Sequence, residues 1–588
     1  MTFRQPADNI SSKKPCFGKQ ILLSAVIQIL LIGIWVYTLR ETSSYYSIYL
    51  FCAVAGIVCV LKDAREPVRI CLRESWILLA FAVWFASTTV LANYKLFIVR
   101  PIYERAISAA CALLGGTVTG YQIIRILAAR IPFSLQKREK GLSPEKMYIL
   151  SFCLMESIFL VYLFGVAYPA YFTPDVFNSI EQIVTGAYVN NNPFWYTISI
   201  KIIAGIGYAI FGSSNAAMAF YVFWQGVFMA AVFSYVLVTL YQIGVSKWGI
   251  IFAGAVYTLL PYNIAYSSTM LKDIPFSIAS LLFIVSLYRM IRSVGKNQKL
   301  NYCFFGIGAF VFCLMRTNGL ASFLVTILVV LLLLRESRKR SLVILVAVIL
   351  VITWILTGPV LKIINVGSTN YVEGLAVPFQ QIGRVIAMGY ELDPYEYELL
   401  NRIFDVELIP EVFMHWSVDP IKGDAFRSVG REYLKENIGT YAKLWIQMGK
   451  KYPGEYLKAW IELTKGYWNG GYKYWVYYLG GYKEAFGIIR PDAMPLEDFF
   501  NQYFSFVEGL VISQPFYSIG LHTWILIGCL VLNIKKKRTE LVLAIPGLVI
   551  LLGLWLGTPV YSEFRYAYPM ILPIPLVICT TIYQYNKE

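Results

Sequence analysis

Long apolar runs separated by short polar turns dominate the chain; fifteen of them lie between residues 20 and 583, and one longer polar interruption spans 362–515. A hydrocarbon core about 30 Å thick is crossed by roughly 20 mostly apolar residues in helical conformation. Lipid offers no hydrogen bonds, so each crossing segment must satisfy its own backbone. The pattern therefore predicts an all-α fold, a polytopic transmembrane helical bundle. The polar interruption carries helix signals and no sustained period-2 alternation. Asp393-Pro394 followed by Glu396 reads as a capping box with Pro in the first turn, Asp419-Pro420 repeats the device, and 424–466 reads as helices broken near Gly439 and Pro453. It is expected to be a mainly helical extracytoplasmic domain. The chain divides into N-terminal spans (1–147), a second group of spans (148–361), the outer domain (362–515) and C-terminal spans (516–588).

Composition supports a membrane protein: 58% of residues are hydrophobic and 15% charged, against about 25% charged in soluble chains, and mean hydropathy is +0.59. The net charge of +16 comes from 51 Lys and Arg against 35 Asp and Glu. It sits mainly in short loops, where it reports topology and not a nucleic-acid partner. Four basic clusters stand out: Arg65, Arg69 and Arg73; Arg130, Lys137, Arg138 and Lys140; Arg335, Arg338, Lys339 and Arg340; and Lys535 to Arg538. All four face the cytoplasm only if one run between 148 and 334 does not cross. The run 193–212, with Pro193 at its start and Lys201 in its middle, is the best suspect, as an interfacial or re-entrant helix on the outer face. Fourteen spans then remain in the plasma membrane with both termini cytoplasmic, and Arg289, Arg292, Lys296 and Lys299 also fall inside. Lys95, Arg100 and Arg105 run against this scheme. Lys13, Lys14 and Lys19 before the run 20–39 indicate a signal anchor. Ten scattered cysteines without a CxxC pair, and two histidines, suggest neither a disulfide framework nor a zinc site.

Chemistry concentrates where the spans end on the outer side. In YPAYFTPDVFNSIEQ (168–182), Thr173 can be an N-cap, Pro174 the first helical residue and Asp175 a first-turn anion favoured by the helix dipole. Val176, Phe177, Ile180, Ile183, Val184 and Ala187 then share an apolar face, with Asn178, Ser179, Glu181 and Gln182 opposite and Gly186 at the stop. Three cations fall in short outer segments: Lys272, Arg316 and Arg565, with Asp273 beside the first and Glu563 two before the last. Snorkelling anchors would explain them, but the positive-inside bias puts spare anchors on the other side. Cations and acids converging at one membrane surface suit a phosphate headgroup and proton transfer near it. The tract YWNGGYKYWVYYLGG (467–481) fits an interfacial aromatic belt or a surface that stacks on sugar rings.

Thr173-Pro174-Asp175, Asn191-Asn192-Pro193-Phe194-Trp195-Tyr196, Lys272-Asp273, Arg316-Thr317-Asn318-Gly319 and Ser562-Glu563-Phe564-Arg565-Tyr566 together resemble the GT-C superfamily of membrane glycosyltransferases. Protein O-mannosyltransferases and lipid A aminoarabinose transferases are its familiar members. The closer likeness is to an uncharacterised bacterial group of polytopic membrane proteins with motifs like TPD, KD, R-x-NG and SEFRY. The resemblance covers about 150–361 and the last span pair. It implies a GT-C-like fold and transfer of a sugar from a polyprenyl-phosphate donor to a cell-envelope acceptor, with membrane lipids as partners. It also implies Asp175 as general base and Lys272, Asp273, Arg316, Asn318, Glu563, Arg565, Asn192 and Tyr196 around the substrate. The superfamily's His-Pro-Pro histidine is replaced by Asn191 or Asn192, and no paired acids stand near Asp175, which leaves a divalent metal cofactor without support.

Other classes compete. A transporter or lipid flippase would show inverted repeats and midplane charges, whereas here the charges gather at one surface. An envelope-polysaccharide polymerase or ligase would also be polytopic with a large outer loop, but with arginine-rich catalytic loops. A structural scaffold leaves the outer cations unexplained.

Overall fold

In the computed structural model the chain forms two compact units, residues 1–131 and 132–588. Residues 14–40, 46–66, 72–130, 133–134, 142–190, 192–295, 297–333, 336–368, 371–473, 475–477, 479–482 and 484–584 are described. Lys13, Arg69, Lys137, Arg138, Lys140, Asn191, Lys296 and Arg335, named above, lie outside them.

The first unit is built from four long helices, Lys14–Leu39, Tyr46–Arg65, Leu72–Ala92 and Ile102–Arg130. The last packs on the other three. Gly115 makes its approach to the first helix possible, since a Cβ there would lie 2.2 Å from the Leu31 carbonyl oxygen and 2.6 Å from Trp35 Cβ. Trp35, Ile32 and Ala112 fill the contact, while Asp63 accepts from Arg125 Nη1 at 2.6 Å near one end.

In the second unit, cross-links define two faces. At one, Arg289 donates to Thr239 and Gln242 at 2.8 Å and to Asn301 at 3.0 Å, Arg292 pairs with Glu540, and Arg538 donates to the Thr581 carbonyl at 2.9 Å. At the other, the two-residue strands Tyr171–Phe172 and Thr269–Met270 pair in parallel, and Phe172 N–H donates to the Gly480 carbonyl at 2.8 Å. Ten segments connect these faces: Pro144–Ala167, Ser214–Gln242, the bent pair Lys247–Leu259 and Pro261–Ser267, Asp273–Arg292, Gln298–Met315, Thr317–Leu333, Glu336–Thr357, Ile519–Lys535, Ile545–Gly557 and Phe564–Ile582. Ser214–Gln242, Asp273–Arg292 and Phe564–Ile582 are central and buried over most of their length. Outer members turn Leu328, Leu332, Ile344, Trp354, Leu552 and Leu556 outward. So much exposed apolar surface suits lipid and would drive association in water.

The helix Phe194–Phe211 is one of eleven described helices long and apolar enough to cross a membrane. It starts beside Lys272 and packs antiparallel on the next helix, with Gly207 against Ala217 and Phe220. Asn215, just beyond its end, donates to the Ile489 carbonyl of the polar segment at 2.6 Å, while the far end of that next helix holds Arg289. By length and composition the described residues hold eleven helices that could cross a membrane, or thirteen if each bent pair counts as one span.

The polar segment is helical, with Ala376–Ala387, Pro394–Ile403, Ile438–Lys451 and Pro453–Thr464 around a core of Phe379, Leu400, Phe404, Ile421, Leu444 and Met448. Asp393 and Glu396 form the expected capping box. Asp419 does not repeat it: Val418 occupies the cap position and Asp419 lies inside the helix. The segment rests on the last crossing helices through Trp460 Nε1, which donates to the Trp555 carbonyl at 2.8 Å, and through Val418 N–H, which donates to the Pro559 carbonyl at 3.0 Å.

Candidate functional site

Five helices begin at one place. Pro174–Thr185 carries Asp175 in its first turn; Asn192 stands just before Phe194–Phe211; Lys272 caps Asp273–Arg292; Arg316 precedes Thr317–Leu333; and Glu563 caps Phe564–Ile571, with Arg565 as its second residue. Pro174 and Pro193 suit these starts because a missing N–H costs nothing where it has no intrahelical partner. Free N–H groups and the positive ends of the helix dipoles therefore converge, favouring negative charge.

Side chains from these starts interlock. Asp175 Oδ2 lies 3.1 Å from Lys272 Nζ and 3.6 Å from Arg565 Nη1. Lys272 Nζ also donates to Asn192 Oδ1 at 2.5 Å. Asp273, 1% exposed, pairs with Arg316, and its Oδ2 has no hydrogen-bond partner. Arg565 Nε donates to Glu563 Oε1 at 3.0 Å. Two guanidinium groups approach the Tyr566 ring, Arg316 at 5.1 Å and Arg565 at 5.0 Å from its centre, and Arg565 also lies 5.8 Å from the ring centre of Trp475. Three acids and three cations balance formally, so the dipoles of the converging helices set the sign of the remaining field.

The structure thus brings Asp175, Asn192, Lys272, Asp273, Arg316, Glu563 and Arg565 together. Tyr196 is buried behind them, within electrostatic reach of Asp175 and Asp273. Asn318 stands apart: it is exposed and its amide faces Gly553. Two local expectations are revised. Thr173 occupies the cap position, but its hydroxyl makes no capping bond and is buried without a partner. Ser179, assigned to the polar outer side of its helix, is fully buried because Asn192 Nδ2 and Thr197 Oγ1 donate to its hydroxyl at 3.3 and 3.1 Å; Val184 and Ala187 are exposed instead. Sequence reasoning missed Ser179 as a supporting residue, although its place one turn after Asp175 puts both on the same side of the helix. It also left Trp475 open between belt and site.

Burial alone would lift the Asp175 carboxyl, but Lys272 and Arg565 outweigh it, with Arg316 adding to them, and hold the group below the usual carboxylate value. Glu563 goes the other way: burial, helped by the nearby Asp273 charge, pushes it up to about 7 against the pull of Arg565. Asp175 is therefore ionised but weakly basic as it stands, whereas Glu563 changes charge near neutrality. Each carboxylate is paired with a cation, and among the described residues no group of three or more His, Cys, Asp or Glu could hold a metal ion. An anion bound by Lys272 and Arg565 would displace the Asp175 carboxylate from between them and leave it alongside.

No curated protein and no solved structure matches the chain. A family profile matches residues 184–588, a stretch that begins downstream of Asp175 and contains the other residues of the cluster. The match covers more than half of the chain, which therefore belongs to a family of unknown function (DUF6020).

Proposed function

We propose that the protein is a membrane glycosyltransferase of the plasma membrane that moves a sugar from a polyprenyl-phosphate donor to a cell-envelope acceptor on the extracytoplasmic side. The observation that carries this reading is the meeting of three cations with five helix N-termini around one ionised aspartate. In the step, the acceptor oxygen bonds to the anomeric carbon and its proton passes to Asp175. The bond from that carbon to the phosphate oxygen breaks, and the electron pair leaves with polyprenyl phosphate. Negative charge grows on the leaving phosphate, so cations fixed at a poorly hydrated surface stabilise the transition state more than the bound donor. A phosphate bound by Lys272 and Arg565 also offsets the positive charges that weaken Asp175 as a base. Attack from the face opposite the leaving group inverts the anomeric centre.

The test is product release. Purified protein in liposomes holding a polyprenyl-phosphate-linked hexose should liberate free polyprenyl phosphate when a hydroxyl-bearing glycan is supplied. One observation favours transport instead: Glu156, in the crossing segment Pro144–Ala167, is 7% exposed and neither carboxylate oxygen has a hydrogen-bond partner. Such an acid inside a membrane helix is a common element of proton-coupled carriers. Movement of the intact lipid between leaflets, with no release for hexose or aminosugar donors, would decide for the carrier.

Glu563 makes donor binding depend on pH. Below about 7 its carboxyl is protonated and leaves Arg565 its full charge; above that value the carboxylate competes with the phosphate. A polyprenyl lipid with a phosphodiester headgroup, which does not itself titrate here, should bind up to about tenfold more weakly as pH rises through neutrality, the equivalent of one pKa unit. Glu563→Gln should flatten that dependence in the same binding measurement; a slope unchanged in the variant assigns it elsewhere.

A further inference from the structure

We propose that Asn192 is a positioning residue for Lys272: it holds the ammonium through a neutral oxygen, so that Asp175 can give way to an incoming phosphate without Lys272 moving. The inference rests on the phosphate-binding reading above.

The amide of Asn192 is committed on both sides. Its Nδ2 donates to the Asp175 carbonyl at 2.6 Å and to Ser179 Oγ at 3.3 Å, and its Oδ1 accepts from Lys272 Nζ at 2.5 Å. It is 5% exposed, and all three of these bonds are made to the protein itself. The residue ties the starts of two consecutive helices, Pro174–Thr185 and Phe194–Phe211, to that of the distant Asp273–Arg292. An ammonium has three N–H donors. Asn192 and Asp175 take two, and the third is available to a ligand oxygen. If Asp175 alone held Lys272, a phosphate would have to compete with a carboxylate for a mobile side chain. A neutral carbonyl fixes the same ammonium without cancelling its charge. Asn does this where Asp could not, because Asp would neutralise Lys272 and lacks the N–H that reaches the Asp175 carbonyl.

A double-mutant cycle on polyprenyl phosphate binding tests the idea, using full-length protein in detergent with thermal unfolding of every variant recorded alongside. Asn192→Ala should weaken binding about tenfold, the effect of losing a hydrogen bond to a charged group. Asn192→Asp should weaken it at least as much, although it nearly preserves shape. Asn192→Ala combined with Lys272→Gln should bind no more weakly than Lys272→Gln alone, because both changes remove one function. A packing role would instead make the two losses additive, and additivity would overturn the proposal, as would unchanged binding in the Asn192 variants. If Asn192→Ala does not fold, the same cycle is run with Asn192→Asp. Unchanged binding in Lys272→Gln removes the phosphate reading itself, and this inference with it.

Discussion

Asp175→Asn should lower sugar transfer by roughly 10²–10⁴-fold, the range expected when a general base is lost, while the donor lipid still binds. Asn is close in shape and is itself a good helix-start residue. The variant therefore keeps the local role of Asp175 and loses only its charge and proton affinity. If Asp175 were merely a first-turn anion, the change would cost at most about 1 kcal/mol of dipole interaction and transfer would survive. The structure sharpens this contrast. Asp175 lies between Lys272 and Arg565, so removing its charge frees both cations, and polyprenyl phosphate should bind the variant at least as tightly as the parent protein. Lost transfer with retained or improved donor binding is the signature of a base. Near-normal transfer in a folded variant would return the residue to a helix start.

The second large effect is expected from the cations. Lys272→Gln and Arg565→Gln should each weaken polyprenyl phosphate binding by about 1.5–3 kcal/mol, roughly 10- to 150-fold, the contribution of a hydrogen bond to a charged group. Equilibrium binding in detergent, repeated at high salt, measures it, and undiminished affinity in both folded variants would exclude a phosphate between them. Arg316→Gln is a different experiment. It strands the carboxylate of Asp273, which is almost completely buried, and leaving one partner of a buried pair uncompensated costs about 3–5 kcal/mol of stability. Its binding defect is therefore interpretable only beside Arg316→Gln combined with Asp273→Asn, which removes the stranded charge.

Some of the site was legible before any coordinates. Lys272, Arg316 and Arg565 stood out because the loops carrying them are short and fall where the charge pattern leaves few cations. The acids beside them were visible as neighbours in the chain, but their pairing was not: Asp273 adjoins Lys272 in sequence yet pairs with Arg316, while Lys272 turns to Asp175. Sequence adjacency misleads there because successive residues at a helix start point in different directions. Asn318 was included through its place beside Arg316, and the turn of the Thr317–Leu333 helix carries it toward Gly553. Asn192 was visible as part of an Asn-Pro-aromatic stretch, but its three hydrogen bonds exist only once separate helix starts have met.

By itself the sequence determined the class of the molecule: all-α, polytopic, with a helical polar segment before the last crossing helices. Those properties are local, because apolar length decides whether a segment can cross a membrane and lipid forces each crossing helix to satisfy its own backbone. Tertiary structure alone decided that the aromatic tract adjoins the charged cluster through Trp475. It alone also decided that Asp175, Lys272, Asp273, Arg316 and Arg565 form one cluster, in which Asp175 is held by two of the cations and loses proton affinity. Coulomb energies depend on separation in space, and the distance of a few ångströms between residues 175 and 565 is set by the packing of the helices between them.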